Sequence, residues 1–294
     1  MGTEVWIKRD DLSGLALGGN KVRKLEYLLA EAVARNCDTV ITSGGVHSNF
    51  IRILAAACAR LGLRCEAVVM DLPYEHRPAE GTRLSDHRGN PLLSELFGAI
   101  LHRVPDDTWE ALYARSDSLA GRLRSNGREV YQIPVGGSSP LGAYAFYKAG
   151  QEVIESGEEF DWVVTASSSG STQTGLAYAF SGRPTRVLGI CSDPEPEMVV
   201  EFATIGVSLA EMVGTKTLLA QDFRLSTDFV GTGYGIPSEA GNSAVQYLAR
   251  TEGILLDPIY TGKAFAGLLQ LISSNGLGGK VLFWHTGGVP SLFA

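Results

Sequence analysis

At 294 residues, 45% hydrophobic and 19% charged, the chain has the size and balance of one large or two modest globular domains sharing a sizeable core. Its formal net charge of −7, with 25 Lys and Arg scattered among 32 Asp and Glu, excludes the concentrated basic field that nucleic acid or an acidic membrane would need. No apolar run approaches the ~20 residues of a membrane span and no basic leader with an apolar core opens the sequence, so a soluble, cytoplasmic protein is expected.

The recurring unit is a short β-branched strand, a polar Gly/Ser/Thr turn and an amphipathic helix. Asn20 is a good N-cap for a first helix with Val22, Leu25, Leu28, Leu29 and Ala32 on one face. Residues 40–42 read as a strand that leads through Ser43-Gly44-Gly45-Val46-His47-Ser48-Asn49 into a helix over 51–61, and 66–70 as the next strand. Residues 71–90, polar with prolines and histidines, read as a surface excursion. The Pro-Val-Gly-Gly-Ser-Ser-Pro stretch at 134–140 is the best boundary between two α/β lobes. Residues 162–166 form a strand that runs through 167–174 into a helix at 176–180, and 187–191 is a further strand. A late strand at 280–284 ends at His285-Thr286-Gly287-Gly288. Strands alternating with helices predict an α/β fold with largely parallel sheets. Cys37, Cys58, Cys65 and Cys191 have no CxxC spacing and read as free thiols, mostly buried, in a reducing compartment.

In open α/β sheets ligands bind beyond the carboxyl ends of the strands, where this sequence places its glycine-rich turns. A helix opening there offers unpaired N–H groups and the positive end of its dipole to an anion. Three junctions have this form: Asn20, Ser48-Asn49, and Gly170-Ser171-Thr172-Gln173-Thr174-Gly175. Together they suit a phosphate-bearing cofactor and a carboxylate-bearing substrate, although Ser and Asn cap most helices anyway. Lys21 sits where the dipole favours a neutral, nucleophilic amine, and Lys24, one turn on, is a cation acting in the same direction. Spacing alone still favours two solvated lysines on an exposed helix face. Leu176 stands where a P-loop needs Lys, Gly231-Thr232-Gly233-Tyr234-Gly235 is not GxGxxG, and HExxH, GxSxG and dense His/Cys clusters are missing. His47 and His285 are isolated and read as supporting or packing residues, so no metal is expected.

Taken together and in order, several stretches resemble the D-cysteine desulfhydrase and 1-aminocyclopropane-1-carboxylate (ACC) deaminase family of fold-type II pyridoxal-phosphate (PLP) enzymes. They are Trp6-Ile7-Lys8-Arg9-Asp10-Asp11-Leu12, Gly18-Gly19-Asn20-Lys21-Val22-Arg23-Lys24-Leu25-Glu26, Ser43 to Asn49, and Gly170 to Gly175. Tyr234-Gly235-Ile236-Pro237, Leu256-Asp257-Pro258-Ile259-Tyr260-Thr261-Gly262-Lys263 and His285-Thr286-Gly287-Gly288 complete the set. The resemblance implies a tryptophan synthase β-like architecture of two three-layer α/β lobes, residues 1–24 plus 136–294 and residues 25–135, with pyridoxal 5'-phosphate in the cleft and a homodimeric assembly. It implies that Lys21 holds PLP as a Schiff base and then moves the Cα proton. Lys24 and the amides of Gly170, Ser171, Thr172, Gln173 and Thr174 would bind the phosphate, Asn49 the phenolic oxygen, and Ser48 the substrate carboxylate. Tyr234 and Tyr260 would face a small amino-acid substrate, and Thr286 the pyridine nitrogen.

Within that family, ACC deaminases resemble Tyr-Glu-Gly at the Tyr260 site and carry Leu in the HxGG turn, whereas this chain has Thr261 and Thr286. Neutral hydroxyls leave the pyridine nitrogen largely unprotonated, a weaker electron sink that suffices for β-elimination and suits ring opening poorly. A desulfhydrase-like lyase acting on D-cysteine to give pyruvate, ammonia and sulfide is therefore expected ahead of cysteate lyase, β-replacement or ACC deamination. A drifted, non-catalytic PLP or amino-acid binder stands last, since Lys21, Ser48, Asn49, Tyr234 and Tyr260 are all kept. The family pattern is broken at His47 and Phe50, where it reads Gln-Ser-Asn-His, and at Ile53, where Gln is usual; these are expected at or beside the substrate pocket. The chain reaches its Trp6 segment almost at once, as a trimmed or shortened form would.

Overall fold

The computed structural model describes residues 2–85 and 87–294, so Asp86 of the 71–90 excursion lies outside the described residues. Strands β1 (Glu4–Arg9), β6 (Trp162–Ser167), β7 (Arg186–Cys191), β8 (Arg224–Ser226) and β9 (Lys280–His285) form a sheet in the order β1-β9-β6-β7-β8. Strands β2 (Thr39–Gly45), β3 (Arg64–Met70), β4 (Ile100–Arg103) and β5 (Val130–Gln132) form another, in the order β4-β3-β2-β5. Every pairing between these strands is parallel. Nine helices lie among the described residues: α1 (Lys21–Ala34), α2 (Asn49–Leu61), α3 (Asn90–Leu96), α4 (Trp109–Ser125), α5 (Pro140–Glu155), α6 (Ser171–Ala179), α7 (Met198–Val213), α8 (Glu239–Glu252) and α9 (Thr261–Ser273).

Alternation along the strands explains the layers, because successive side chains point to opposite faces. In β2, Val40 joins Leu25, Leu28, Leu54 and Cys58 of α1 and α2, whereas Ile41 joins Leu112 and Leu119 of α4. In the larger sheet Val163 and Leu282 face Phe146 and Leu176 of α5 and α6, and Val164 and Phe283 face Leu248 and Leu268 of α8 and α9. Strands covered on both faces carry apolar or small residues throughout, and all seven positions of β2 are buried. Each sheet is thus a three-layer sandwich of helix, sheet and helix.

Element bounds differ from expectation where caps decide them. The helix expected at 51–61 begins at Asn49, because the Ser48 side chain accepts from the amides of Phe50 and Ile51. The helix expected at 176–180 begins at Ser171, because Gly170 turns the chain at φ +96° and the Ser-Thr-Gln-Thr run winds on from it. Asn20 is not a side-chain cap: its backbone is helical (φ −55°, ψ −22°) and its amide is drawn elsewhere. The 71–90 excursion is mostly exposed, with a bridge from Tyr74 to Thr108, but its last residue, Asn90, is fully buried and opens α3. The four thiols are free, three of them buried.

Candidate active site

Because all strands of a sheet run parallel, their carboxyl ends share one side. The turns after β2, β6, β7 and β9 open on one cavity of about 1150 Å³, which also receives Lys21, Tyr234 and Tyr260. Lys21, Ser48, Asn49, Gly170 and Thr172 all line it, so the three anion-type junctions expected from the sequence meet in one place.

The Lys21 turn is held by close backbone approach. Gly18 and Gly19 have φ +71° and +132°, and a Cβ at Gly18 would lie 1.8 Å from the Asp11 carbonyl oxygen. Asn20 N donates to Thr286 O (3.0 Å), and Gly287 comes so near that a Cβ there would sit 2.6 Å from Gly19 Cα. Asn20 Nδ2 donates to Thr172 Oγ1 (3.0 Å), tying the start of α1 to the start of α6. His285 sets the neighbouring turn: Gly287 N donates to its Nδ1 (3.1 Å) and its Nε2 pairs with Leu255 O (2.9 Å). It is a buried turn-forming residue, as its isolation in sequence suggests.

Burial brings the Lys21 amine down to about 8 from 10.5, and the hydrogen bond to Lys24 works against that fall. Lys24 is 1% exposed, donates to Gly136 O (3.2 Å) and is driven well below the usual range by burial and by Lys21. The expectation that a cationic Lys24 depresses Lys21 is therefore corrected. Desolvation depresses both amines, and Lys24 gives way first unless an anion restores its charge.

At the start of α6 the Ser171 amide donates to Ser138 Oγ (3.0 Å) and the Thr174 amide closes the first turn on Gly170 O (2.9 Å). The amides left to an anion there are those of Gly170, Thr172 and Gln173. The expected five-amide cradle is narrower than the sequence suggests, and the Gln173 side chain turns away, donating to Arg224 O (2.7 Å). Ser138, which the sequence reading passed over, organises this loop and also donates to Ser169 O.

Tyr234 and Tyr260 share a hydrogen bond of 2.9 Å between hydroxyls. Burial, with the field of Asp193 among the further causes, raises both phenols, so both are neutral at physiological pH. Lys263, 1% exposed, donates to Gly233 O (3.0 Å) and fixes the loop carrying Tyr234. Thr286 lines the cavity but Thr261 does not. The Thr261 hydroxyl donates to Asp257 Oδ2 (2.7 Å) and accepts from Asp257 N (2.8 Å), knotting the start of α9. Of the two threonines, Thr286 alone lines the cavity, where the family resemblance places it toward the pyridine nitrogen.

Of the three departures from the family pattern, Phe50 lines the cavity. Ile53 is fully buried beneath the Gly19 turn, and the His47 carbonyl accepts from Asn90 Nδ2 (2.7 Å). The cavity lining also carries several carboxyl groups, among them Glu75, Asp193, Glu195 and Glu201. Asp193 is 5% exposed, accepts from Ser168 Oγ (2.6 Å) and is pushed up by burial to about 7.

The donor set fits a group bearing an aldehyde and a phosphate. Lys21 supplies a nucleophile, the amides at the start of α6 an anion site, and the buried Ser167 hydroxyl on the cavity wall has no partner among the described residues. An amine-bearing cavity at the carboxyl ends of two parallel sheets, with a helix start for a phosphate, defines an α/β enzyme that works through a bound cofactor. The family model described as pyridoxal-phosphate dependent enzyme matches residues 1–287, so the chain belongs to that family and its cofactor is pyridoxal 5'-phosphate. Proteins named D-cysteine desulfhydrase from Salmonella typhi and Salmonella newport are each 38% identical over 308 residues, covering 100% of this chain and 89% of theirs. A crystal structure described as an ACC deaminase homologue is 34% identical with a TM-score of 0.88, covering 99% of this chain and 86% of that one. O-ureido-L-serine synthase, at 18% identity and a TM-score of 0.67, shares the fold.

Proposed function

We propose that the protein is a lyase catalysing α,β-elimination from a small β-substituted amino acid, with D-cysteine as substrate and pyruvate, ammonia and sulfide as products. The observation that carries this reading is Lys21, lining the cavity and brought to about 8 by desolvation, within the site that also holds the Tyr234–Tyr260 pair. Bound PLP supplies the electron sink for negative charge at the substrate Cα. Lys21 Nζ holds the cofactor and then takes the Cα proton. Lys24 and the amides of Gly170, Thr172 and Gln173 bind the phosphate, and the Ser48 hydroxyl and the start of α2 bind the substrate carboxylate. The tyrosine pair positions the substrate and relays to the departing sulfur the proton that Lys21 has taken from Cα.

The full-length likeness to D-cysteine desulfhydrases supports this substrate, and the neutral Thr286 hydroxyl supports elimination over ring opening. ACC deamination is the second reading, favoured by the ACC deaminase homologue structure. The carboxyl groups of Glu75, Asp193, Glu195 and Glu201 disfavour a sulfonate, which sets cysteate behind both. We further propose a cytoplasmic homodimer of subunits divided into residues 1–24 plus 136–294 and residues 25–135. The division is supported by β1 and β6–β9 sharing one sheet and β2–β5 the other. The test is a substrate panel on the PLP-loaded protein. Pyruvate and sulfide from D-cysteine support the proposal; 2-oxobutyrate from ACC with no pyruvate from D-cysteine overturns it.

A further inference from the structure

Arg52 is among the largest fully buried side chains of the protein, at 0% exposure. Its Nη1 donates to Asn49 Oδ1 (3.0 Å) and to Asn90 Oδ1 (2.7 Å), and its Nη2 to Gly18 O (2.8 Å). Its Nε has no partner, and it makes no ion pair among the described residues. The carboxylate whose field reaches it, Asp257, has its oxygens taken by Ile259 N, Tyr260 N, Thr261 N and the Thr261 hydroxyl. Burial lowers the guanidinium to about 10, so it is still charged at neutral pH. A buried cation held by neutral oxygens lacks the counter-charge that normally offsets its desolvation.

Asn49 shows where that charge enters. Its Oδ1 accepts from Arg52 Nη1 and from Asn90 Nδ2 (2.9 Å), and its residue lines the cavity. With the carbonyl end of the amide saturated by two donors, only Nδ2 is left for the cavity, and Nδ2 can only donate. Asn90 is itself fixed by the His47 carbonyl and by Ser291 Oγ (3.2 Å), so the amide has no room to flip.

We propose that Arg52 is a positioning residue: it locks Asn49 as a donor toward the cofactor's phenolic oxygen, anchors the Gly18 turn that presents Lys21, and has the bound cofactor's phenolate as its counter-charge. This rests on the reading above that Asn49 meets the phenolic oxygen. Polarisation passes along the chain Arg52, Asn49, oxygen, because a donor on one side of an amide strengthens donation from the other. The cofactor's phenolate form is held by it, and the segment ahead of Lys21 is held by the same guanidinium.

The experiment compares Arg52→Met, Arg52→Lys and Asn49→Ala in the full chain. It measures the dissociation constant for PLP and the ratio of visible to near-ultraviolet absorbance of the bound cofactor, since the phenolate absorbs at longer wavelength than the phenol. Losing a charge-assisted hydrogen bond predicts PLP binding about tenfold to a hundredfold weaker in Arg52→Met. Absorbance moves from the visible to the near-ultraviolet, as in Asn49→Ala, and Arg52→Lys retains most of the visible band. Wild-type affinity and band ratio in Arg52→Met, with both altered in Asn49→Ala, overturn the role of Arg52. Both variants unchanged would instead remove Asn49 from the cofactor, and the inference with it. Should Arg52→Met fail to fold, Arg52→Gln, which keeps a polar side chain but no charge beside Asn49 Oδ1, must shift the same ratio; no shift overturns the proposal.

Discussion

Lys21 is the residue whose chemistry depends most on its surroundings. Its amine is brought to about 8 from 10.5 by burial, so the nucleophilic form appears well below the pH at which a solvated lysine would supply it. The rate at which the cofactor-free protein captures PLP should therefore rise with pH and level off above about 8, followed by absorbance after rapid mixing; a rate still climbing at pH 10 would mean a solvated amine. The tyrosine pair gives a second expectation at this scale. Tyr260→Phe removes one hydroxyl of the 2.9 Å pair, and loss of a proton-transferring group lowers turnover about a hundredfold or more. PLP stays bound, because no expected cofactor contact is lost. A kcat unchanged in Tyr260→Phe would exclude the pair from proton transfer.

At the scale of elements, the start of α2 carries two loads on one hydroxyl. Ser48 Oγ accepts from Phe50 N (3.2 Å) and Ile51 N (3.5 Å), while its own proton is left to donate outward. Ser48→Ala should lower unfolding free energy by about 0.5–2 kcal/mol through the lost cap, read from denaturant midpoints. It should also raise KM more than it lowers kcat if the hydroxyl binds the substrate carboxylate. A stability loss with KM unchanged would leave Ser48 as a cap alone. Such helix starts are readable in sequence because their signal is local: a strand, a glycine or serine turn, then an apolar stripe. Arg52 is not readable that way. It lies within the apolar run of α2, and its partners Gly18 and Asn90 stand 34 and 38 residues away, so only the fold brings them together. Lys263 is a similar case, since its partner Gly233 is 30 residues distant. Thr261 shows the converse: its place beside Tyr260 suggests a cavity residue, but a helix start turns successive residues about 100° apart, and its hydroxyl falls on Asp257 instead.

The whole molecule places its least favourable charges around the cavity between its two sheets. Lys21, Lys24 and Asp193 are each pushed toward their neutral forms by desolvation, so the empty cavity weakens the fold that surrounds it. Asp193 makes this measurable. Its folded value of about 7 lies above the unfolded 3.8, so the native state holds the proton more tightly than the unfolded state between those two values. Stability contributed by this group is full below about pH 4 and is lost as pH rises through about 7. Ser168 and Lys263 oppose the shift, while Glu195 adds to it. Asp193→Asn keeps the size and the partner for Ser168 but cannot ionise. The difference in unfolding free energy between variant and parent, both free of cofactor, isolates this titration from the other carboxylates that change over the same range. The variant should gain on the parent as pH rises from 4 to 8 and hold that gain above it. Parallel stability curves across this range would show that Asp193 titrates alike in the folded and unfolded chain, and that the cavity wall it occupies is wet.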